Sequence, residues 1–258
     1  MIKKALPIST LLMLFLGLNC ANKTILKRET ASSFSFQKEI LQTILGEQRL
    51  RQEDDVYYWP KASDPQAADS THLGTTVNID YLGERLSSVR ENRGTHCVGI
   101  SWQVCMSVLQ EWAQRQNDSG EISGMSVRDM KDFVDKWFVK LKGAPLAAPQ
   151  EMGAVYALTS YNLGKQIPFQ KAQAGDFVQF WRKDNSGHSC IFLHWVYNKE
   201  GEIIGFKYWS SQPSTDGVGT ITEYFSPEKF ALKPEKLVER NRFYVGRLLP
   251  QVRRNLKR

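Results

Sequence analysis

The run GHSCIFLHWVYNKEGEIIGFKYWSSQ, Gly187 to Gln212, decides the fold. Two segments, 188–197 and 203–212, are rich in aromatic and β-branched residues and flank the polar, glycine-containing turn NKEGE. That is the composition of a β-hairpin. Pairing that runs symmetrically about residue 200 sets His188 opposite Gln212, and directly opposed residues share a face and approach closely. A slip of one residue would bring Ser211 or Pro213 to that place, and a slip of two would bring Ser210.

Working outward, DFVQFW (176–181), GTITEYF (219–225) and FYVGRLL (243–249) have the same strand composition, with turn residues between them. Upstream the period changes to that of helices. Phe36, Ile40, Leu41, Ile44 and Leu45 mark one helix. VNIDYLGERLSSVRENRG (77–94) predicts a second, ending at Gly94. Val98, Trp102, Cys105, Leu109 and Trp112 fall on one face of a third, starting near Cys97. Ser126 and Asp129 form a capping box that opens an amphipathic helix striped by Val127, Met130, Val134, Trp137 and Leu141. Helices first and strands after give an α+β fold, N-terminal helices packed on an antiparallel sheet.

The chain has 258 residues, 24% of them charged and 41% hydrophobic, a globular composition with a formal charge of +7. Lys3 and Lys4 precede the apolar run Leu11–Leu18, which ends at Cys20. Residues 1–20 therefore predict a secretory signal. LFLGLNC is similar to the lipobox of bacterial lipoproteins, with Cys20 as the acylated residue and membrane anchor. Residues 21–75 read as an N-terminal helix and linker, 76–250 as the main domain and 251–258 as a basic tail. The positive excess is unpatterned, so no nucleic-acid partner is expected.

Cys97, Cys105 and Cys190 remain after export, an odd count that leaves at least one thiol free. Cys97 stands where loop gives way to helix. A helix N-terminus favours a thiolate and offers N–H groups to an oxyanion, so a depressed pKa is expected there. His188, at the start of a strand, is the candidate base. Gln212 is the candidate third member, and Ser210 is its reserve and an expected substrate contact. His96 points about 100° away from Cys97 on the helix start, so it is expected to line the cleft or to cap the loop, not to act as the base. Cys105 and Cys190 can form a disulfide or stay as two buried thiols. No histidine or cysteine spacing suggests zinc, and neither a metal nor a cofactor is expected.

HCVGI (96–100) opening a helix, AGDFVQFW (174–181) opening a sheet and GHSCIFL (187–193) on the next strand resemble the NlpC-type cell-wall cysteine peptidases, which have a papain-like fold. The likeness covers about residues 79–225. His96-Cys97-Val98-Gly99 departs from that family's usual acid-Cys-Ser-Gly, and Gln212 stands where a histidine is commoner. The resemblance implies an exported cysteine endopeptidase or amidase. It would cleave peptide or isopeptide bonds of peptidoglycan through Cys97, His188 and Gln212, with Tyr81 near the substrate. The alternatives are an inactive binding or adhesion lipoprotein on the same fold, or a thiol acyltransferase.

Overall fold

The computed structural model describes residues 34–50, 56–59, 72–90, 93–116, 119–139, 149–226 and 233–249. The signal segment, Cys20, Leu141 and the basic tail lie outside them. Among the described residues no helix is long and apolar enough to cross a membrane.

The hairpin forms as its composition requires, from β5 (Gly187–Tyr197) and β6 (Ile203–Gln212). Ile191 pairs with Trp209 and Phe192 with Tyr208, which is the register symmetric about residue 200. A bulge near Leu193 shifts the next pairs by one residue, giving Trp195↔Phe206, and a second irregularity restores Tyr197↔Ile203. At the turn Gly201 takes φ +81°, and the Asn198 side chain accepts from the Glu200 and Glu202 N–H groups. A left-handed backbone of this kind suits glycine.

Around the hairpin an antiparallel six-stranded sheet runs β3-β8-β4-β5-β6-β7. The other members are β3 (Gly164–Ile167), β4 (Phe177–Arg182), β7 (Gly217–Tyr224) and β8 (Val238–Leu248). Strand side chains alternate between faces, and here the two faces meet different neighbours. Phe177, Ile191 and Trp209 join the helices in one core. Val178, Phe180, Cys190, Phe192 and Tyr208 join Phe206, Phe225 and Phe243 in a second, mainly aromatic one.

The helical layer is centred on α2 (Cys97–Gln116), whose first ten residues are all buried. Its start tolerates no side chain at Gly99, where a Cβ would overlap the carbonyl oxygens of Leu73 and Gly74. Gly74 has φ +70° and in turn lies against the His96 ring. The predicted capping box is present at α3 (Val127–Trp137), with Ser126 and Asp129 each satisfying the other's backbone N–H. Met130, Phe133, Val134 and Trp137 form its buried stripe. A short α4 (Ala154–Ser160) leads into β3, in a stretch where the sequence shows no clear period.

Two expectations are corrected. Residues 77–94 do not form a helix. They hold a hairpin, β1 (Ile79–Tyr81) and β2 (Glu84–Ser87), closed by Leu82 and Gly83 at φ +49° and +84°. Two successive left-handed residues make the tight turn that hairpins favour and that no helix can contain. The helix α1 (Phe36–Leu50), expected to precede the main domain, packs on it. Its Ile40 and Ile44 are buried in the helix-side core, and the rings of Phe36 and Trp112 are 6.0 Å apart. This helix is part of the main body, not an appendage to it.

Candidate active site

Cys97 is the first residue of α2, and its sulfur lies against β5. Phe192 directs its backbone toward the β4 side, donating to Asp176 O (2.8 Å) and accepting from Gly175 N–H (2.9 Å). Backbone groups alternate sides along an antiparallel strand, so Ser189 turns both of its groups toward β6. There the ladder has opened, because backbone pairing stops at Ile191↔Trp209. The Ser189 carbonyl instead accepts from the Ser210 hydroxyl (2.8 Å). The Ser189 and Val98 N–H groups lie near the Cys97 sulfur and favour its ionised form. The thiol thus sits at the seam between β5 and β6.

Hydroxyl pairs lock the helix to this end of the sheet. Ser101 and Ser189 meet at 2.9 Å, and Thr95 and Ser211 at 2.7 Å. All four are buried. Before the bulge, the odd-numbered residues Ser189 and Ile191 of β5 therefore face α2, and His188 projects to the other face. Its ring lies 5.5 Å from Phe180 and 5.4 Å from Tyr208, centre to centre, both in the aromatic core. Gln212 shares that face, and its Oε1 accepts from the Tyr208 hydroxyl (2.8 Å). Tyr208 also reaches Glu223 (3.4 Å), which forms an ion pair with Arg182.

The structure brings His188, Gln212 and Tyr208 to one face and sets the Cys97 sulfur in the seam beside them. No hydrogen bond joins the sulfur to the imidazole. The Nε2 atoms of His188 and Gln212 are both buried and unpartnered. Buried polar groups are nearly always satisfied; the indole N–H groups of Trp102, Trp195 and Trp209 are likewise without a partner, but His188 and Gln212 are the two such groups that share the Tyr208 face near Cys97.

Burial pushes the Cys97 thiol above its ordinary pKa. The N–H groups of Ser189, Val98 and Cys97 and the Arg182 charge oppose that rise without cancelling it. The depressed pKa expected at a helix head is thereby corrected: desolvation outweighs the dipole. Burial, and then the Arg182 charge, lowers His188 to about 3. Thiol and imidazole are both neutral at pH 7 in this arrangement.

The three residues expected near substrate hold the scaffold instead. Tyr81 is buried, donates its hydroxyl to Met125 O (2.7 Å) and accepts from Ile122 N–H (3.1 Å), which leaves it no free proton. His96 caps α2, its Nδ1 accepting from Gly99 N–H at 3.2 Å. That nitrogen is therefore the lone-pair one, and burial followed by the Arg90 charge lowers the ring to about 4. Ser210 is wholly buried and spends its proton on Ser189 O. Cys105 and Cys190 are free buried thiols on opposite sides of the sheet, so they form no disulfide with each other.

Three contributors escaped sequence reasoning. The Ser189 backbone carries no side-chain signature. Tyr208 was findable, because it lies four residues before Gln212 on one strand face. Arg182 follows directly on the DFVQFW run, and nothing local in the sequence marks it as the partner of Glu223. Comparison of the chain with protein-family models, with curated proteins and with solved structures finds no match in any of the three.

Proposed function

We propose that the chain is a cysteine hydrolase of peptide or isopeptide bonds, held in a neutral resting state. The observation that carries this reading is the Cys97 sulfur at the head of α2, where the β5–β6 ladder has opened, with the Ser189 N–H near it and His188 the neighbouring residue on β5. Donors near a sulfur favour the thiolate, the nucleophile such a reaction needs.

In the proposed reaction His188 takes the Cys97 proton as the sulfur adds to the substrate carbonyl carbon. The oxyanion is held by N–H groups at the head of α2. Collapse breaks the C–N bond, and the imidazolium gives its proton to the departing amine. Water, deprotonated by His188, then cleaves the thioester and restores the thiol. Gln212 Oε1 keeps a second lone pair beyond its bond to Tyr208, so it can accept an imidazole N–H and orient the ring. Substrate binding has to draw the imidazole and the sulfur together, because the resting geometry does not hydrogen-bond them.

Export and lipid anchoring at Cys20 belong to the same proposal and rest on Lys3, Lys4 and the apolar run before Cys20. Peptidoglycan is the proposed substrate through the resemblance of Cys97, His188 and their flanking segments to NlpC-type peptidases. Cys97→Ala should lower turnover of peptidoglycan fragments at least about 10³-fold while leaving the melting temperature near that of the parent. Equal turnover in parent and variant would refute the mechanism. A second reading, a binding protein without chemistry, is favoured by the unlinked, neutral thiol and imidazole. It requires the parent to bind fragments without cleaving them, even at high enzyme concentration.

A further inference from the structure

Residues 56–59, Val-Tyr-Tyr-Trp, lie far from Cys97 in sequence yet run alongside the residue two before it. Tyr57 and Thr95 form a parallel β-bridge. Tyr58 N–H donates to Thr95 O (2.8 Å), and Thr95 N–H donates to Val56 O (3.0 Å). The side chains continue the contact. The Arg90 guanidinium lies 4.1 Å from the centre of the Tyr58 ring, and Trp59 meets the His96 ring edge-on at 5.2 Å. The Tyr57 hydroxyl is raised by burial and, second, by its proximity to the Cys97 sulfur.

Sequence alone gives this stretch no reason to be ordered. It lies in an acidic, proline-containing loop, and Val56 and Trp59 remain exposed at 40% and 54%. A core element would bury those side chains. The segment is instead held at one spot, through the Thr95 backbone and the rings around the head of α2. Backbone pairing with an extended segment is also how proteins hold peptides without reading most side chains. A peptide carbonyl presented to Cys97 needs the strip that Tyr57 and Tyr58 now occupy.

We propose that residues 56–59 are an intramolecular gate, a strand-like strap that fills the peptide-binding strip beside Cys97 and is displaced by an extended peptide. The gate rests on Cys97 being the reactive group. It accounts for a thiol that is only 8% exposed although it begins a helix at the surface of the sheet seam. It also explains the neutral resting thiol, since displacing the strap admits water and removes much of the desolvation that raises the sulfur.

The test is site-resolved alkylation of the full chain by iodoacetamide at constant pH, read at each cysteine by mass spectrometry. Tyr58→Pro removes the N–H that bonds Thr95 O, and Trp59→Ala removes the exposed ring that lies on His96. Each should speed Cys97 modification about 3- to 10-fold, the effect of losing one contact of ordinary strength from an open–closed equilibrium. Cys105 and Cys190, both fully buried, should keep the parent's rate. Unchanged Cys97 rates in both variants overturn the gate. So does an equal rise at all three cysteines in both variants, which would locate the barrier in opening of the whole fold. Alkylation needs no hydrolysis, so a gated but inactive protein would pass this test and fail the turnover test.

Discussion

The two faces of β5 use the same backbone for different ends. Toward α2 the hydroxyls are matched, Ser189 with Ser101 and Ser211 with Thr95, while the indole N–H groups of Trp102 and Trp209 have no partner. Large apolar groups such as Trp102, Trp137 and Phe177 fill the rest. The other face carries a chain of polar groups through an aromatic shell, from the Arg182–Glu223 ion pair through Tyr208 to Gln212. It ends with the Nε2 atoms of His188 and Gln212 unpartnered. Paired buried hydroxyls rigidify, so they fasten the helix side. The far side differs in carrying an imidazole and an amide, groups able to take part in proton transfer. Cys97, in the seam, belongs to both.

Cys105 reports on the helix side and Cys190 on the far side, so the contrast can be broken experimentally. The largest effect should come from Trp137→Ala, which empties a fully buried site and should cost about 3–5 kcal/mol in urea denaturation. Below the unfolding transition, Cys105 alkylation should rise more than that of Cys190. If the two rise together, the faces are not separate units. Next, Glu223→Gln leaves the Arg182 charge without its counter-ion, with both side chains over four-fifths buried. It should cost about 3 kcal/mol and expose Cys190 before Cys105.

A smaller effect tests whether the helix face is truly matched. Ser101→Ala strands the Ser189 hydroxyl and the Trp137 Nε1–H, which reaches Ser101 at 3.4 Å, and should cost about 1–2 kcal/mol, while Ser101→Ala with Ser189→Ala should recover the Ser189 part of that loss. A double variant as unstable as the sum of both singles would show that the pair is not a closed unit.

The smallest effect is a pH dependence. His96 titrates at about 4 in the fold against an ordinary 6.5, so between those values the unfolded chain binds a proton that the folded chain refuses. Stability therefore rises with pH through this window and is lost as pH falls from about 6.5 toward 4. His188, lowered to about 3, contributes in the same direction. Asparagine is a strong N-cap, so His96→Asn should keep α2 capped. It should also shrink the difference in urea midpoint between pH 7 and pH 5, and an unchanged difference would remove His96 from this role.

Much of the fold was legible because its signals are local. The capping box at Ser126 and Asp129 needs only four residues, and the helical period from Val98 to Trp112 persists over about four turns. The β5–β6 register follows from the turn between the strands, and it is found at Ile191↔Trp209. The error at 77–94 has a local cause too. Ile79, Leu82 and Leu86 mimic helical spacing, and the left-handed pair Leu82-Gly83 is a backbone property that Leu82 does not announce. The helix 36–50 was recognisable as a helix, but its docking on α2 was not.

Sequence by itself determined which residues share a face, because alternation in a strand is dictated by the backbone. Thus His188 travels with Gln212, and Ser189 with Ile191. Only the tertiary structure decided which of those faces the helix covers, where the ladder opens to admit a sulfur, and that residues 56–59 return to lie along Thr95. Those outcomes depend on packing between segments distant in the chain, and no local period encodes them. The pKa of Cys97 is the same case in miniature. A helix start can be read from a few residues, but the desolvation that outweighs it is the combined effect of everything packed around the sulfur.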